Sequence, residues 1–535
     1  LSRWVQPDAD PLERALSALA LGIVTVVPLA FVISIVANVA LSVWTISGCA
    51  AALSVGFALL HRFAPRSLET PASTPDNGAQ LLGWTILISV ILTMCTGLVA
   101  MDTPMTFWHC PHLSALHLLE DGSGPGLLVW DPHWDQWVHH LTKHPTESAF
   151  GLGPVLSIQR AGNAAFVGQT VAFLSAAGLL LALWCTDFLI LGGAMLLLRR
   201  HLNNRWLVVL IAVLFALGTR ALSAYQYNEN SLVLGLSMLV LYWLTHSHKQ
   251  AFIIAAGLVL AHMAGIRPVV ILLIPAALLW LDSWKSRALL SCVLVLCVTP
   301  WLLSNALALD GLFSYPQLEA GRESQNFLGF DFTFHPLNWP IADALMSSPH
   351  HPYPTLIRLP LEVLQAFGAP LITLAILGSL VWVRSREIRK IGALILWLLP
   401  VPIFLMLIVA LDYQKQSYVL IALAPLPLLI GQGVTRFEYS RLGRAGLAVV
   451  LLVALVFVPM SLTECRLPVD ERHHIDHQWD TRDSLSDSAL RSALTSAAIV
   501  PQLADNLALS HLFKDANLLL NAGFAPDDEP HLVAL

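Results

Sequence analysis

Stretches of about twenty apolar residues recur from residue 15 to residue 462, and this recurrence constrains the fold more than any motif does. Hydrocarbon tolerates only a backbone whose hydrogen bonds close within its own segment, and a helix needs about 20 apolar residues to cross it. Windows of this kind lie in 15–38, 40–60, 81–101, 164–198, 206–219, 231–245, 251–266, 269–284, 288–308, 360–383, 391–411, 417–433 and 445–462. Composition agrees: 56% of the 535 residues are hydrophobic and 12% are charged, where soluble domains carry roughly a quarter charged residues. The expected fold is an all-α polytopic membrane protein. The window 164–198 is long enough to hold a surface helix running into a span.

Short cytoplasmic loops retain Lys and Arg, so the placement of positive charge predicts orientation. Alternating spans from an inside N-terminus put Arg62/Arg66, Arg199/Arg200/Arg205, Lys249, Lys285/Arg287, Arg384/Arg386/Arg389/Lys390 and Arg436/Arg441/Arg444 on one side. The loops 102–163 and 309–358 and the tail after Leu462 then fall on the other. This predicts a bacterial inner membrane location, with a cytoplasmic N-terminus and a periplasmic C-terminus. The first residues, LSRWVQPDADPLERA, carry acids and a proline with no A-x-A cleavage signal, and read as an uncleaved anchor.

The expected organisation has an N-terminal segment and two-helix hairpin at 1–62, a Pro- and Ser-rich linker at 63–80, a transmembrane domain at 81–463 and a periplasmic tail at 464–535. That tail holds most of the net charge of −6, with about a dozen acids against five bases. Its alternation of helical periodicity with short apolar runs suggests a small α/β region. No basic run points to nucleic acid. The seven cysteines form neither a CxxC pair nor an even framework, so no zinc finger or disulfide scaffold is indicated. Cys110 and Cys465 alone fall in outer segments, where an oxidising compartment could join them.

The loop stretch DPHWDQWVHHLTKHP (131–145) gathers two aspartates, four histidines, two tryptophans and a lysine. The spacing of Trp134, Trp137, Val138 and Leu141 predicts a helix lying along the membrane surface, with Asp131 as its cap and Asp135 in its first turn. His133, His139, His140 and His144 could ligate a divalent metal. The spacing matches no formed site, and solvated loop polarity is the plainer account. Arg267 sits at a Gly-Ile-Arg-Pro turn between two short spans. An arginine there is costly unless paired or wet, and it suits either a phosphate or lipid headgroups reached by snorkelling. Arg220, Tyr225, Tyr227 and Glu229 lie on the same side, Glu229 being a second acid, a ligand or a simple cap. Asp412 and Lys415 in DYQKQS, and Arg322 in the aromatic loop 309–358, complete the polar groups there.

Three stretches, GLVLAHMAGIRPVVILLIPAALLWL (257–281), VTPWLLSNALALDGLF (298–313) and QKQSYVLIALAPLPLLIGQG (414–433), resemble the GT-C class of polytopic glycosyltransferases. The likeness covers roughly 80–463 and rests on degenerate, apolar motifs. It implies a GT-C-like bundle of about 11 transmembrane helices preceded by the hairpin. It also implies transfer of a sugar from a polyprenyl-phosphate carrier to a lipid, glycan or protein acceptor. Such transfer needs a base on the acceptor and positive charge on the leaving phosphate. By resemblance, Asp131 or Asp135 is the base, and Arg267 and Lys415 hold the phosphate. Glu229, His133 and Arg322 are possible additions to the site. The adjacent acidic pair typical of the class is missing from 131–145; the loop's one such pair is Glu120–Asp121. That departure keeps a rival open: a non-enzymatic GT-C-like scaffold subunit in a larger membrane assembly. A secondary transporter is disfavoured, because no matching pair of broken helices stands out.

Overall fold

The computed structural model describes residues 10–37, 43–63, 77–101, 127–131, 136–140, 169–223, 229–246, 249–308, 325–327, 330–332, 355–384, 387–407, 419–438, 441–464, 520–521 and 531–533. Helices dominate: α1 (Pro11–Ala37), α2 (Val43–Phe63), α3 (Asn77–Met101), α4 (Gln169–Leu198), α5 (Arg205–Leu222), α6 (Glu229–Leu244) and α7 (Gln250–Ile266). They continue with α8 (Ile274–Trp280), α9 (Trp284–Ala308), α10 (Thr355–Arg384), α11 (Ile388–Leu398), α12 (Pro400–Leu407), α13 (Leu426–Glu438) and α14 (Arg441–Glu464). Local chemistry sets the ends. Asp10 precedes Pro11 and accepts from the Glu13 amide at 3.0 Å, a side-chain cap with proline in the first turn. Asn204 accepts from the Trp206 amide at 3.0 Å to open α5.

Among the described residues, five segments are long and apolar enough to cross a membrane: Pro11–Ala30, Gly78–Cys95, Arg205–Leu222, Leu359–Arg384 and Leu420–Phe437. Six shorter apolar helical segments accompany them. The faces are inverted relative to a soluble protein. On α3 the outward positions Ile86, Leu87, Val90, Ile91 and Met94 are exposed, whereas Thr85, Ser89 and Thr93 are buried. On α14 the exposed positions include Val449, Leu452, Val453 and Val456. Contiguous apolar surface of that extent suits a lipid solvent, and small or hydroxylic residues suit contacts between helices inside it. These are the features of an α-helical membrane protein.

The helices α4, α5, α6, α7, α10 and α13 form the centre, with α1 packed against α3, α4 and α7. Leu12, Leu16 and Ala20 of α1 are fully buried in this same core. The tightest crossing joins α10 to α13. There a Cβ on Gly378 would collide with the carbonyl of Leu429, and one on Gly433 with the carbonyl of Leu374. Gly368 takes φ of 71° and bends α10; this left-handed conformation favours glycine.

The positively charged loops gather at one end of the bundle. Arg199 pairs with Asp10, Arg205 donates to Gln80, Arg287 donates to the Leu281 carbonyl at 3.1 Å and Arg389 to the Leu279 carbonyl at 3.0 Å. His201 belongs to this end. Burial, reinforced by the charge of Arg200, pushes its imidazole down to about 4. A histidine depressed in the folded state contributes stability above pH 6.5 that fades as pH falls toward 4, because only the unfolded chain takes up the proton. Thermal inactivation of wild type should therefore accelerate between pH 6.5 and pH 4 more than that of His201→Gln, as read by residual monodisperse protein after heating.

Two expectations need correction. Where a surface helix was expected around 131–141, the described residues form strands instead, β1 (Leu127–Asp131) paired antiparallel with β2 (Gln136–His140), with Trp130 opposite Trp137. Val138 and the tryptophans favour strands, and their spacing served either periodicity. The tail contributes β6 (His531–Val533), which pairs with β1, and β5 (Leu520–Asn521), which pairs with β6. The rest of the tail lies outside the described residues. A second hairpin, β3 (Gln325–Phe327) with β4 (Phe330–Phe332), lies in the loop 309–358.

The second correction concerns continuous spans. The windows 269–284, 391–411 and 417–433 contain broken helices: a 3₁₀ segment Pro268–Leu273 before α8, a break between α11 and α12, and a 3₁₀ segment Leu420–Leu423 before α13. Pro268, Pro400 and Pro425 adjoin these breaks, where a missing amide and ring sterics interrupt the ladder. Among the described part of residues 11–246 no equivalent break occurs.

Candidate functional site

Irregular backbone at membrane depth is tolerated only where protein covers it or a water-filled cavity adjoins it, so the breaks locate the part of the bundle to inspect. The segment Pro268–Leu273 packs against α12, and Leu420–Leu423 packs against α6, α11 and α12. Leu420, Ile421, Ala422, Val270 and Leu273 are buried. The helix α7 starts beside Lys249 at the basic end and runs 17 residues, about 26 Å at the standard rise. Its last residue therefore lies toward the opposite end, where the break to Pro268 occurs.

Arg267 occupies that break. Proline at 268 bars the preceding residue from the helical region, and Arg267 is extended (φ −138°, ψ 102°) while its amide still bonds the Met263 carbonyl at 2.8 Å. The residue is only 9% exposed. A guanidinium is effectively always charged, so the fold places a permanent cation inside this end of the bundle. His262, one turn back on α7, is buried too.

A second polar centre ties three helices together. Asp187 of α4 pairs with Arg220 of α5 and accepts a hydrogen bond from the Thr93 hydroxyl of α3 at 2.8 Å. Asp187 and Arg220 are 1% and 3% exposed. Ser223, Asn230 and Ser231, at the adjoining ends of α5 and α6, are buried as well. Arg220 was visible in the sequence as a polar group on this side; Asp187 was not singled out. The signal for it was a lone acid within an apolar helix, next to a helix with an arginine in its last turn, the arrangement in which intramembrane charges find each other. Being paired and hydrogen-bonded, Asp187 holds α3, α4 and α5 in register and is not a free base.

The other expected site residues are not brought together by the described structure. Asp135, His133, Lys415 and Arg322 lie outside the described residues. Asp131 closes β1 and Glu229 opens α6, each described by backbone alone. Cys110 and Cys465 are outside as well, and the cysteines described, 49, 95, 185, 292 and 297, are free thiols. Among the described residues no group of three His, Cys, Asp or Glu side chains could hold a metal ion. No family model, curated protein or solved structure shows a significant match to this chain.

Proposed function

We propose that the chain is a GT-C-type glycosyltransferase, which moves a sugar from a polyprenyl-phosphate donor to a lipid, glycan or protein acceptor. The reaction takes place at the Arg267 end of the bundle. The clustering of basic loops at the other end supports assigning that end to the cytoplasm, which makes the reacting face periplasmic in a bacterial inner membrane.

The observation that carries this reading is the buried Arg267 at a proline-enforced helix break, whose following segment packs against α11 and α12. A cation held in a low-dielectric setting suits a phosphate oxygen better than it suits water. The chemistry follows from the groups assigned. Asp131 or Asp135 takes the proton from an acceptor hydroxyl, whose oxygen then bonds to the anomeric carbon of the donor sugar. The bond from that carbon to the carrier phosphate breaks, and its electron pair leaves with the phosphate. Arg267, aided by Lys415, neutralises the charge that develops there.

In proteoliposomes supplied with a polyprenyl-phosphate sugar, Asp131→Asn with Asp135→Asn should lower transfer by roughly 10²–10⁴-fold, the usual contribution of a general base. Unchanged transfer by that double variant contradicts the base assignment. The missing acidic pair in 131–145 favours the rival reading of a non-enzymatic scaffold. Purification in mild detergent separates the two: a stoichiometric complex with another membrane protein, together with no transfer by wild type, supports the scaffold.

A further inference from the structure

At the basic end, away from Arg267, a partly open cavity of about 290 Å³ lies between the turn after α4 and the helices α8, α10, α11 and α13. Its wall includes Arg200, His201, Lys390, Gln432, Trp280 and Trp382. We propose that this cavity binds a phosphate group, and that the group it takes is the headgroup of an anionic phospholipid.

Charge is the first support. Arg200 and Lys390 approach the cavity from different elements, and Glu387 on the same wall pairs with Lys390. Arg200 donates to the Thr245 hydroxyl, which orients the guanidinium while leaving other N–H groups for an anion. The second support is the polar lining: His201, Thr245 and Gln432 share the wall with these cations.

The flanks favour a lipid over a free ion. Trp280 and Trp382 meet with ring centroids 5.7 Å apart, and Lys390 Nζ lies 5.8 Å from the Trp382 ring centroid. Tryptophans beside a cation are the pattern of a membrane–water boundary. Next to the lining residues in sequence, Leu380, Val383 and Ile388 are exposed, the last by 80%. Acyl chains would lie along that apolar surface with the phosphate above, as at basic pockets between transmembrane helices. This site is independent of the transferase reading, since it shares no residue with the Arg267 end.

The test uses the full chain purified in mild detergent, with thermal stability and native mass spectrometry as readouts. Phosphatidylglycerol should stabilise wild type and remain bound, whereas phosphatidylcholine should do neither. Retention should fall roughly tenfold or more in Arg200→Gln with Lys390→Gln, each lost charge being worth about 1 kcal/mol near a membrane surface. Arg444→Gln, an exposed arginine outside the cavity wall, should behave as wild type. Lys390→Gln alone, which leaves the Arg200–Thr245 bond in place, covers the case in which the double variant fails to fold and should show a partial loss. Equal stabilisation by inorganic phosphate without retained lipid would overturn the lipid assignment in favour of a soluble phosphate site. Equal retention of both lipids, or no effect of either variant, would overturn the proposal altogether.

Discussion

Replacing Arg220 with methionine should destabilise the protein by on the order of 3–5 kcal/mol, the usual cost of removing one partner from a buried ion pair. The substitution leaves the Asp187 carboxylate buried with only the Thr93 hydroxyl as its described partner. Desolvation that the pair's attraction had offset is then uncompensated. The expected readouts are a fall in the apparent melting temperature in detergent and a loss of monodisperse protein. Asp187→Leu should have a comparable effect for the reciprocal reason. The double variant, Asp187→Leu with Arg220→Met, should recover much of the loss, because two apolar groups of similar volume need no partner. If the double variant is as poor as the sum of the singles, the two side chains are not coupled, and α3, α4 and α5 are not joined in the way described.

The α10–α13 crossing gives the second large effect. Leucine at Gly433 would place a side chain where the Leu374 carbonyl stands, and at Gly378 where the Leu429 carbonyl stands. Backbone cannot swing aside as a flexible side chain does, so the helices must separate. Overpacking usually costs about 1–3 kcal/mol, occasionally more, and rigid carbonyls on both sides put these positions at the upper end. Gly378→Leu and Gly433→Leu should each reduce folded yield severely. Gly446→Leu, on α14 with nothing within 4 Å of the added carbon, should be tolerated. Separation of α10 and α13 would also disturb the cavity that Trp382 and Gln432 line, so any folded fraction of the glycine variants should retain less phosphatidylglycerol.

The sequence was informative where one residue type forces one outcome. The Gly-Ile-Arg-Pro turn announced a helix end at 267 because proline dictates the conformation of its predecessor, and Arg267 is found in that extended state. The gathering of arginines and lysines at one end followed from charge alternation between spans. What escaped was whatever a hydropathy window averages away. Asp187 vanished inside a run whose mean stays strongly apolar, and Pro400 was absorbed into the span that it interrupts. The stretch 136–140 was misread because Trp134, Trp137, Val138 and Leu141 satisfy a helical spacing while its tryptophan, valine and histidines equally suit a strand. The Gly378–Gly433 contact depends on how two helices cross, which single-helix periodicity does not contain.

Under the proposed function, the Arg267 end of the bundle holds the phosphate of a lipid-linked sugar donor. Binding of a polyprenyl phosphate to the protein in nanodiscs, compared between wild type and Arg267→Gln, tests this most directly. A charged hydrogen bond is worth about 1.5–3 kcal/mol, so affinity should fall roughly ten- to a hundredfold while Arg444→Gln, outside both sites, leaves it unchanged. Equal affinity of wild type and Arg267→Gln, in protein that elutes as a single species, would contradict the account.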